Sequence, residues 1–261
     1  MPLLLLTGHQ RSGTTILRIL LNSHPEISIT NEFNNLDRVG SDRVTYTVHL
    51  LKRIWQLRRR RDNFSPGARN PSPWWGNPYC ILRYMLRVQF TPSWRIGFPA
   101  AEAGLRSLYP KSRWVGDKYP DYIWDLESYS RSRDLTCMVI YRDGRDVVSS
   151  ALEKARTTWK SERYGRHFDT AEKVARRWIR AVEIMERCSG RIIRIRYERL
   201  IAEPADVAGE IGERLGVDPA FFPVDRIHSA SRGKHRSMLT PRELAAVNEI
   251  AGPALARLGY G

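Results

Sequence analysis

The stretch Leu3–Pro25, LLLLTGHQRSGTTILRILLNSHP, places an apolar run, a glycine-containing loop and a second apolar run in succession. The first run, Pro2–Leu6, is only five residues long, which is typical of a buried strand. The second run begins at Ile16 with helical spacing, and the NSHP of Asn22–Pro25 favours the end of a helix. The stretch therefore predicts a strand, a tight loop and a helix.

The loop Thr7–Thr15, TGHQRSGTT, comes close to the phosphate-binding pattern G-x-x-x-x-G-K-[ST] of P-loops. Gly8, Gly13 and Thr15 match that pattern, whereas Thr14 stands where the pattern has lysine. A strand that turns tightly into a helix points backbone N–H groups and the positive end of the helix dipole at one place, which suits an oxyanion. Four side chains add hydrogen-bond donors: Arg11, Ser12, Thr14 and Thr15.

The missing lysine limits the kind of ligand that this loop can hold. In P-loop kinases the lysine contacts the β- and γ-phosphates, and the final Ser/Thr holds Mg²⁺. Without it, we expect a ligand that is shorter or less charged at its far end than a triphosphate, and a phosphosulfate meets this condition. A glycine-containing connection without any ligand is the alternative.

The composition suits a globular domain with a strongly positive charge. The chain has 261 residues, of which 42% are hydrophobic, and its 43 Lys+Arg against 28 Asp+Glu give a net charge of +15. Such a surface attracts anions, among them nucleotides, nucleic acid, anionic lipids and acidic or sulfated sugars. A basic nucleic-acid-binding protein is therefore one alternative function.

The cysteines and the apolar segments predict a cytoplasmic location. Cys80, Cys137 and Cys188 are odd in number and lack C-x-x-C spacing, which argues against a disulfide framework or a zinc site and fits a reducing compartment. The Pro2–Leu6 run has no basic leader or cleavage site, and no later segment approaches the roughly 20 apolar residues that span a bilayer. Any membrane contact should be peripheral, at the membrane surface.

Strands and helices alternate along the rest of the chain. Further strands are predicted at Glu26–Thr30, Leu135–Tyr141 and Arg191–Leu200, and the segment Arg113–Pro120 is predicted to be a strand that ends in a loop. Helices are predicted at about 170–188 and from Pro241 onward. This alternation predicts an α/β fold with three layers, α/β/α, around a mostly parallel central sheet. We expect a single domain over residues 1–261, with an insertion of helices and loops at about 34–111.

A second candidate motif is YRDGRDVVSS, Tyr141–Ser150. Arg142 follows an apolar strand, at the carboxyl edge where open α/β sheets bind ligands, and Ser150 lies about two turns into the next helix. Both side chains could therefore bind one phosphate, while Asp146 shares the face of Ser150 and is turned away from the core. The alternative is a solvated charge cluster whose aspartates favour the helix dipole.

Taken together, these motifs resemble those of the sulfotransferases that use 3′-phosphoadenosine 5′-phosphosulfate (PAPS). RSGTT (Arg11–Thr15) resembles the 5′-phosphosulfate loop of that family, and YRDGRDVVSS resembles its 3′-phosphate motif. GDKYP (Gly116–Pro120) resembles the strand-end lysine segment, and RYERLIAEP (Arg196–Pro204) resembles the Y-E-x-L segment. SRGKHRSMLTPREL (Ser231–Leu244) is similar to the C-terminal basic loop.

The resemblance implies a P-loop-like phosphosulfate-binding loop, PAPS as donor, adenosine 3′,5′-bisphosphate (PAP) as product, and no requirement for a metal. The residues that it implies as PAPS contacts are Arg11, Ser12, Gly13, Thr14, Thr15, Arg142, Ser150, Tyr197 and Lys234. The sequence departs from the pattern at Lys234-His235, where many relatives have Lys-Trp.

The resemblance also implies three catalytic residues. Lys118, with Arg11, would stabilise the transferred group and the leaving phosphate, and Glu32 in TNEF would be the general base. The chain looks closer to the carbohydrate and tyrosyl-protein branch than to the small-phenol branch, because no histidine lies between Phe90 and Arg142.

The function implied is transfer of a sulfonyl group to the hydroxyl of a carbohydrate, a glycolipid or another small molecule. The aromatic residues and the basic cluster Arg58–Arg61 of the insertion would suit a sugar, a phenol or a lipid headgroup. Two alternatives stay open at this point: a P-loop kinase or NTPase, which would need Mg²⁺ and a triphosphate, and the nucleic-acid-binding protein.

Overall fold

The centre of the molecule is a parallel β-sheet. The structure, a computed structural model, describes residues 3–59, 77–159, 163–188, 192–227 and 233–261. Within them, five strands pair in the order β2-β3-β1-β4-β5, and every pairing is parallel. The strands are β1 (Leu3–Thr7), β2 (Ile27–Asn31), β3 (Trp114–Lys118), β4 (Thr136–Tyr141) and β5 (Ile192–Arg196).

Helices follow each of these strands along the chain. They are α1 (Thr14–Ser23), α2 (Arg43–Arg59), α3 (Pro78–Gln89), α4 (Phe98–Leu108), α5 (Leu126–Ser130), α6 (Gly144–Arg156), α7 (Ala171–Arg187), α8 (Tyr197–Ala202), α9 (Pro204–Leu215), α10 (His235–Met238) and α11 (Pro241–Arg257). In the described part of the chain, no helix is both long and apolar enough to cross a membrane.

The predicted α/β fold with helices on both faces of the sheet is confirmed, and β1 shows why. Side chains alternate between the two faces of a strand. Leu3 and Leu5 accordingly pack in a core with the insertion helices and α7, whereas Leu4 and Leu6 pack in a second core with α1 and α9. All four leucines are completely buried. A strand that is apolar on both faces therefore fixes the middle of the sheet.

One strand is shorter than its sequence predicts. The segment Arg191–Leu200 was expected to be extended throughout, but β5 ends at Arg196 and Tyr197 begins α8. Arg196 pairs with Tyr141, the last residue of β4, so the sheet offers no partner beyond that point. Tyr197 and Leu200, three residues apart, are then buried together on one helical face.

Candidate functional site

The carboxyl ends of β1, β3 and β4 lie side by side, because β1 is paired with β3 on one edge and with β4 on the other. The glycine loop follows β1, Lys118 ends β3, and Arg142 follows β4. In parallel sheets, the carboxyl ends of adjacent strands form the ligand-binding edge. The fold thus brings three separately predicted motifs to one edge.

The glycine loop is pressed closely against its neighbours. A Cβ atom on Gly8 would collide with the carbonyl oxygen of Ile140, and one on Gly13 would lie 2.5 Å from the ring of Tyr197. Gly13 also has φ +102°, which glycine adopts without strain. The two glycines therefore allow a loop conformation and a close approach that larger residues would prevent.

The start of α1 is prepared for an anion. The N-cap residue is Gly13, which has no side chain to cap the helix. The first backbone N–H groups of α1 therefore have no side-chain cap. The Ser12 hydroxyl is completely buried and has no hydrogen-bond partner among the residues that the structure describes. A buried hydroxyl without a partner is costly unless a ligand binds it. The loop fits a phosphate or a phosphosulfate.

Four predicted contact residues, which we call the phosphate-loop cluster, meet beside this loop: Arg11, Arg142, Ser150 and Tyr197. Arg11 Nε donates a hydrogen bond to Ser150 Oγ (2.9 Å), and Arg142 Nη1 donates to the carbonyl oxygen of Arg11 (3.4 Å). The Arg142 guanidinium lies 4.5 Å from the centre of the Tyr197 ring. The structure therefore joins the residues expected at the two ends of the donor.

Asp146 holds the C-terminal loop against this cluster. Its Oδ2 is 3.1 Å from Arg142 Nη2 and accepts a hydrogen bond from the backbone N–H of Gly233 (2.8 Å). Its Oδ1 accepts from the backbone N–H of His235 (3.1 Å) and lies 2.7 Å from His235 Nδ1. Burial opposes ionisation of this carboxyl, but these hydrogen bonds and the Arg142 charge outweigh it, so the pKa of Asp146 is below its ordinary value.

The sequence interpretation of Asp146 was wrong. It placed Asp146 with Ser150 on a face turned away from the core, whereas the carboxyl is 2% exposed. The error arose because helix periodicity considers one helix, and the C-terminal loop covers that face. The same contact explains the unusual Lys234-His235 pair, since His235 binds Asp146 directly. Lys234 lies within the bound loop, but its side chain is exposed.

Lys118 and Glu32 form an ion pair at the neighbouring strand end, which we call the Lys–Glu pair. Lys118 Nζ donates to Glu32 Oε1 at 2.9 Å, and their side chains are 2% and 26% exposed. Burial lowers the pKa of Lys118, as does the charge of Arg18 on α1, while Glu32 opposes this shift. The sequence placed these two residues in separate motifs, and the structure brings them into contact.

The backbone around Glu32 is strained and held by distant residues. Glu32 and Asn34 have φ values of +55° and +60°, in a region that residues other than glycine rarely adopt. Arg53 on α2 donates from Nε (3.0 Å) and Nη2 (2.6 Å) to the carbonyl oxygen of Glu32. Asp117 accepts the backbone N–H groups of Phe33 (3.0 Å) and Asn34 (2.7 Å). These contacts set the position of the Glu32 carboxylate.

Asp117 and Arg53 were not singled out from the sequence. Asp117 is completely buried and also accepts hydrogen bonds from Thr30 Oγ1 (2.6 Å) and Tyr122 OH (2.7 Å). Burial raises its pKa, although these hydrogen bonds act in the opposite direction. The sequence did contain a signal for Asp117, because it adjoins Lys118 in GDKYP. No motif points to Arg53, which lies in the insertion.

His9, within the glycine loop, is buried and neutral. Its ring Nδ1 lies 2.8 Å from the carbonyl oxygen of Gln10, and burial lowers its pKa from 6.5 to about 4. It therefore adds no positive charge to the loop near neutral pH. Among the described residues, no cluster of three or more His, Cys, Asp and Glu is arranged to hold a metal ion.

Comparison with known structures supports the fold. The chain is similar to sulfotransferase STF9 from Mycobacterium avium, with 15% identity, a TM-score of 0.56, and coverage of 99% of this chain and 77% of that one. It is also similar to a sulfotransferase domain from the curacin biosynthetic pathway, at 16% identity, TM-score 0.59 and coverage of 100% and 98%. A sulfotransferase from Alicyclobacillus acidocaldarius gives 17% identity, TM-score 0.53 and coverage of 99% and 94%.

A search of curated proteins gives no match to the chain. The sequence model described as "Sulfotransferase family" matches residues 2–221, which include the glycine loop, the Lys–Glu pair and the phosphate-loop cluster. The chain therefore belongs to the sulfotransferase family and is a transferase.

Proposed function

We propose that the protein transfers a sulfonyl group from PAPS to an acceptor hydroxyl and releases PAP. One observation carries this proposal: the phosphate-loop cluster and the Lys–Glu pair lie at adjacent strand ends of one sheet edge. A cluster that can bind two phosphates then stands beside a carboxylate and an ammonium group. The family match favours this function over a P-loop kinase or a nucleic-acid-binding protein.

The chain offers contacts for both ends of the donor. The 5′ end would be held by the backbone N–H groups of Arg11–Thr15 and by the buried Ser12 hydroxyl. Arg142 and Ser150 would bind the 3′-phosphate, and Tyr197 would lie near the nucleoside. Bound PAPS supplies an activated sulfonyl group, whose sulfur–oxygen bridge to the phosphate breaks during transfer. Lys234, in the loop bound by Asp146, would add a further phosphate contact.

In the Lys–Glu pair, Glu32 would take the proton of the acceptor hydroxyl, and Lys118 would stabilise the negative charge that develops during transfer. In the proposed reaction, Glu32 accepts the proton of the acceptor hydroxyl while the acceptor oxygen forms its bond to sulfur. Lys118 and Arg11 stabilise the negative charge on the sulfonyl oxygens and on the departing phosphate. Burial lowers the pKa of Lys118, and contact with Glu32 opposes this shift by favouring the charged form of the amine.

The acceptor that we propose is a carbohydrate, a glycolipid or another small molecule with a free hydroxyl. The carbohydrate assignment rests on the resemblance of the RSGTT and RDGRD motifs, and on Glu32 after the second strand, to the carbohydrate and tyrosyl-protein branch. We place the protein in the cytoplasm on the basis of its cysteine content.

A thermal-shift experiment tests the donor. The melting temperature should rise with PAP in the presence of EDTA, whereas stabilisation by Mg-ATP alone would reject the proposal in favour of a kinase. Arg142→Ala should lose most of the shift. Incubation with labelled PAPS and a mixture of lipids, saccharides and small phenols, followed by mass spectrometry, would identify the sulfated acceptor.

A further inference from the structure

Helix α2 carries an apolar stripe on the face that points away from the core. Val44, Val48, Leu51 and Trp55 are spaced four, three and four residues apart, which places them on one face, and each is between 44% and 66% exposed. The opposite face carries the buried side chains Tyr46, Leu50, Ile54 and Leu57. The core therefore accounts for one apolar face of α2 and leaves the other exposed.

Helix α3 repeats this arrangement. Tyr79, Leu82, Leu86 and Phe90, the residue that caps its end, are spaced three, four and four residues apart and are between 44% and 83% exposed. Tyr84 and Val88 are buried on the other side of the helix. Exposed apolar residues are common one at a time, but a continuous stripe indicates a binding surface.

Side chains of α2 and α3 contact each other in several places. The hydroxyl groups of Tyr46 and Tyr84 are 3.2 Å apart in the buried interior. Gln89 Nε2 donates to Thr47 Oγ1 (2.6 Å), and Arg43 Nη1 donates to the carbonyl oxygen of Gln89 (2.5 Å). We call the exposed faces of α2 and α3 the outer face.

The charges on these helices have a single sign. Neither 43–59 nor 77–101 contains an aspartate or a glutamate. Beside the apolar stripes lie Lys52 and Arg58 on α2, and Arg83 and Arg87 on α3. A helix surface with apolar residues bordered by Lys and Arg is the pattern of helices that lie in the headgroup region of an anionic bilayer.

We propose that the outer face binds the surface of a membrane that contains anionic lipids. The apolar side chains enter the boundary between headgroups and acyl chains, and the flanking basic residues contact lipid phosphates. A protein partner fits less well, because the basic residues border a stripe of exposed leucine, valine and aromatic side chains on both helices without any acidic residue among them.

Helix α2, which carries part of the outer face, also contacts the loop that carries Glu32. Arg53, on the buried side of α2, binds the carbonyl oxygen of Glu32, and His49 Nε2 on the same helix lies 2.8 Å from the carbonyl oxygen of Asn34. One helix, about 10–12 Å across with its side chains, therefore separates the proposed membrane surface from the loop that carries Glu32.

Vesicle sedimentation tests this proposal without PAPS or an acceptor. The full chain is mixed with vesicles of phosphatidylcholine alone and of phosphatidylcholine with phosphatidylserine at about 3:1. We expect strong binding to the anionic vesicles that weakens as salt increases. The double variant Leu51→Gln/Leu86→Gln should bind at least about tenfold more weakly, because two exposed leucines no longer enter the bilayer.

Two further variants separate the apolar and electrostatic contributions. Lys52→Glu/Arg87→Glu should abolish the preference for anionic vesicles. Phe221→Gln is the matched control, since Phe221 is also exposed but lies after α9, and it should bind as the wild type does. All of these positions are on the surface, and the melting temperature of each variant checks that it is folded.

The results divide clearly. Binding by the wild type that the leucine variant retains, or no binding to either vesicle, would overturn the proposal. A dimer in analytical ultracentrifugation that the leucine variant converts to monomer, without vesicle binding, would assign the outer face to self-association instead. Loss of the PAP-induced melting shift would affect the proposed reaction but not this surface, so the two proposals fail separately.

Discussion

The phosphate-loop cluster and the Lys–Glu pair lie at the same sheet edge but are built in different ways. The cluster consists of residues within or next to recognisable motifs, and its members contact one another directly. The Lys–Glu pair depends on a strained loop, to which Asp117 and Arg53 make hydrogen bonds from distant positions in the sequence. The difference teaches that direct contacts among the site's own side chains build one half of the site, whereas a supported backbone loop positions the other half. Substitutions in the first half should affect donor affinity, and those in the second should affect turnover.

Glu32→Gln should give the largest effect. Removal of the proposed base should lower the rate of sulfonyl transfer by about 10²–10⁴-fold, with little change in PAP affinity. Initial rates with labelled PAPS and the acceptor found by mass spectrometry provide the measurement. The PAP-induced melting shift serves as the control for folding and donor binding. Nearly unchanged turnover would remove Glu32 from the mechanism.

Arg142→Ala should affect binding instead. Loss of charge-assisted hydrogen bonds, each worth about 1.5–3 kcal/mol, should raise the dissociation constant of PAP at least about tenfold in calorimetry. Arg145→Ala is the matched control, because Arg145 also lies at the start of α6 but pairs with Asp143 (2.8 Å). Equal losses in both variants would indicate a general charge effect and not a phosphate contact at Arg142.

Asp117→Asn tests whether distant support of the Glu32 loop matters for turnover. An amide would present N–H donors where Asp117 now accepts the N–H groups of Phe33 and Asn34. We expect kcat to fall up to about tenfold as Glu32 shifts, while the dissociation constant of PAP stays constant.

Tyr122→Phe, which removes a single donor to Asp117, should have a smaller effect on kcat. If Asp117→Asn weakened PAP binding and lowered kcat to the same extent, the distinction between the two halves of the site would not hold.

The titration of His9 should give the smallest effect, and the quantity that changes is the free energy of unfolding. The pKa of His9 is about 4 in the folded protein and 6.5 ordinarily, so the unfolded chain takes up a proton first as the pH falls. Stability should therefore decrease between pH 6.5 and 4, by about 1 kcal/mol at pH 5.5. Urea unfolding at pH 7 and 5.5 measures this loss. His9→Gln, which does not titrate, should lose correspondingly less, and an identical loss would show that His9 does not contribute.

The sequence was sufficient for the sheet and for the residues at its edge. The apolar runs determine where β1, β3 and β4 end, and so they determine that Arg11, Lys118 and Arg142 meet. Asp146, Asp117 and Arg53 could not be found in this way, because each acts through hydrogen bonds to segments far away in sequence. The end of β5 was missed for a related reason: the length of a strand depends on the length of its partner in the sheet.

The contact of Asp146 with both Arg142 and the C-terminal loop has a thermodynamic consequence. One carboxylate shares its oxygens between the arginine proposed to bind the 3′-phosphate and the backbone of Gly233 and His235. Any movement of Arg142 toward a phosphate therefore changes the free energy of loop closure. Such coupling is reciprocal for binding equilibria. If PAP favours the closed loop over the open loop by a given factor, the closed form of the protein binds PAP more tightly than the open form by that same factor.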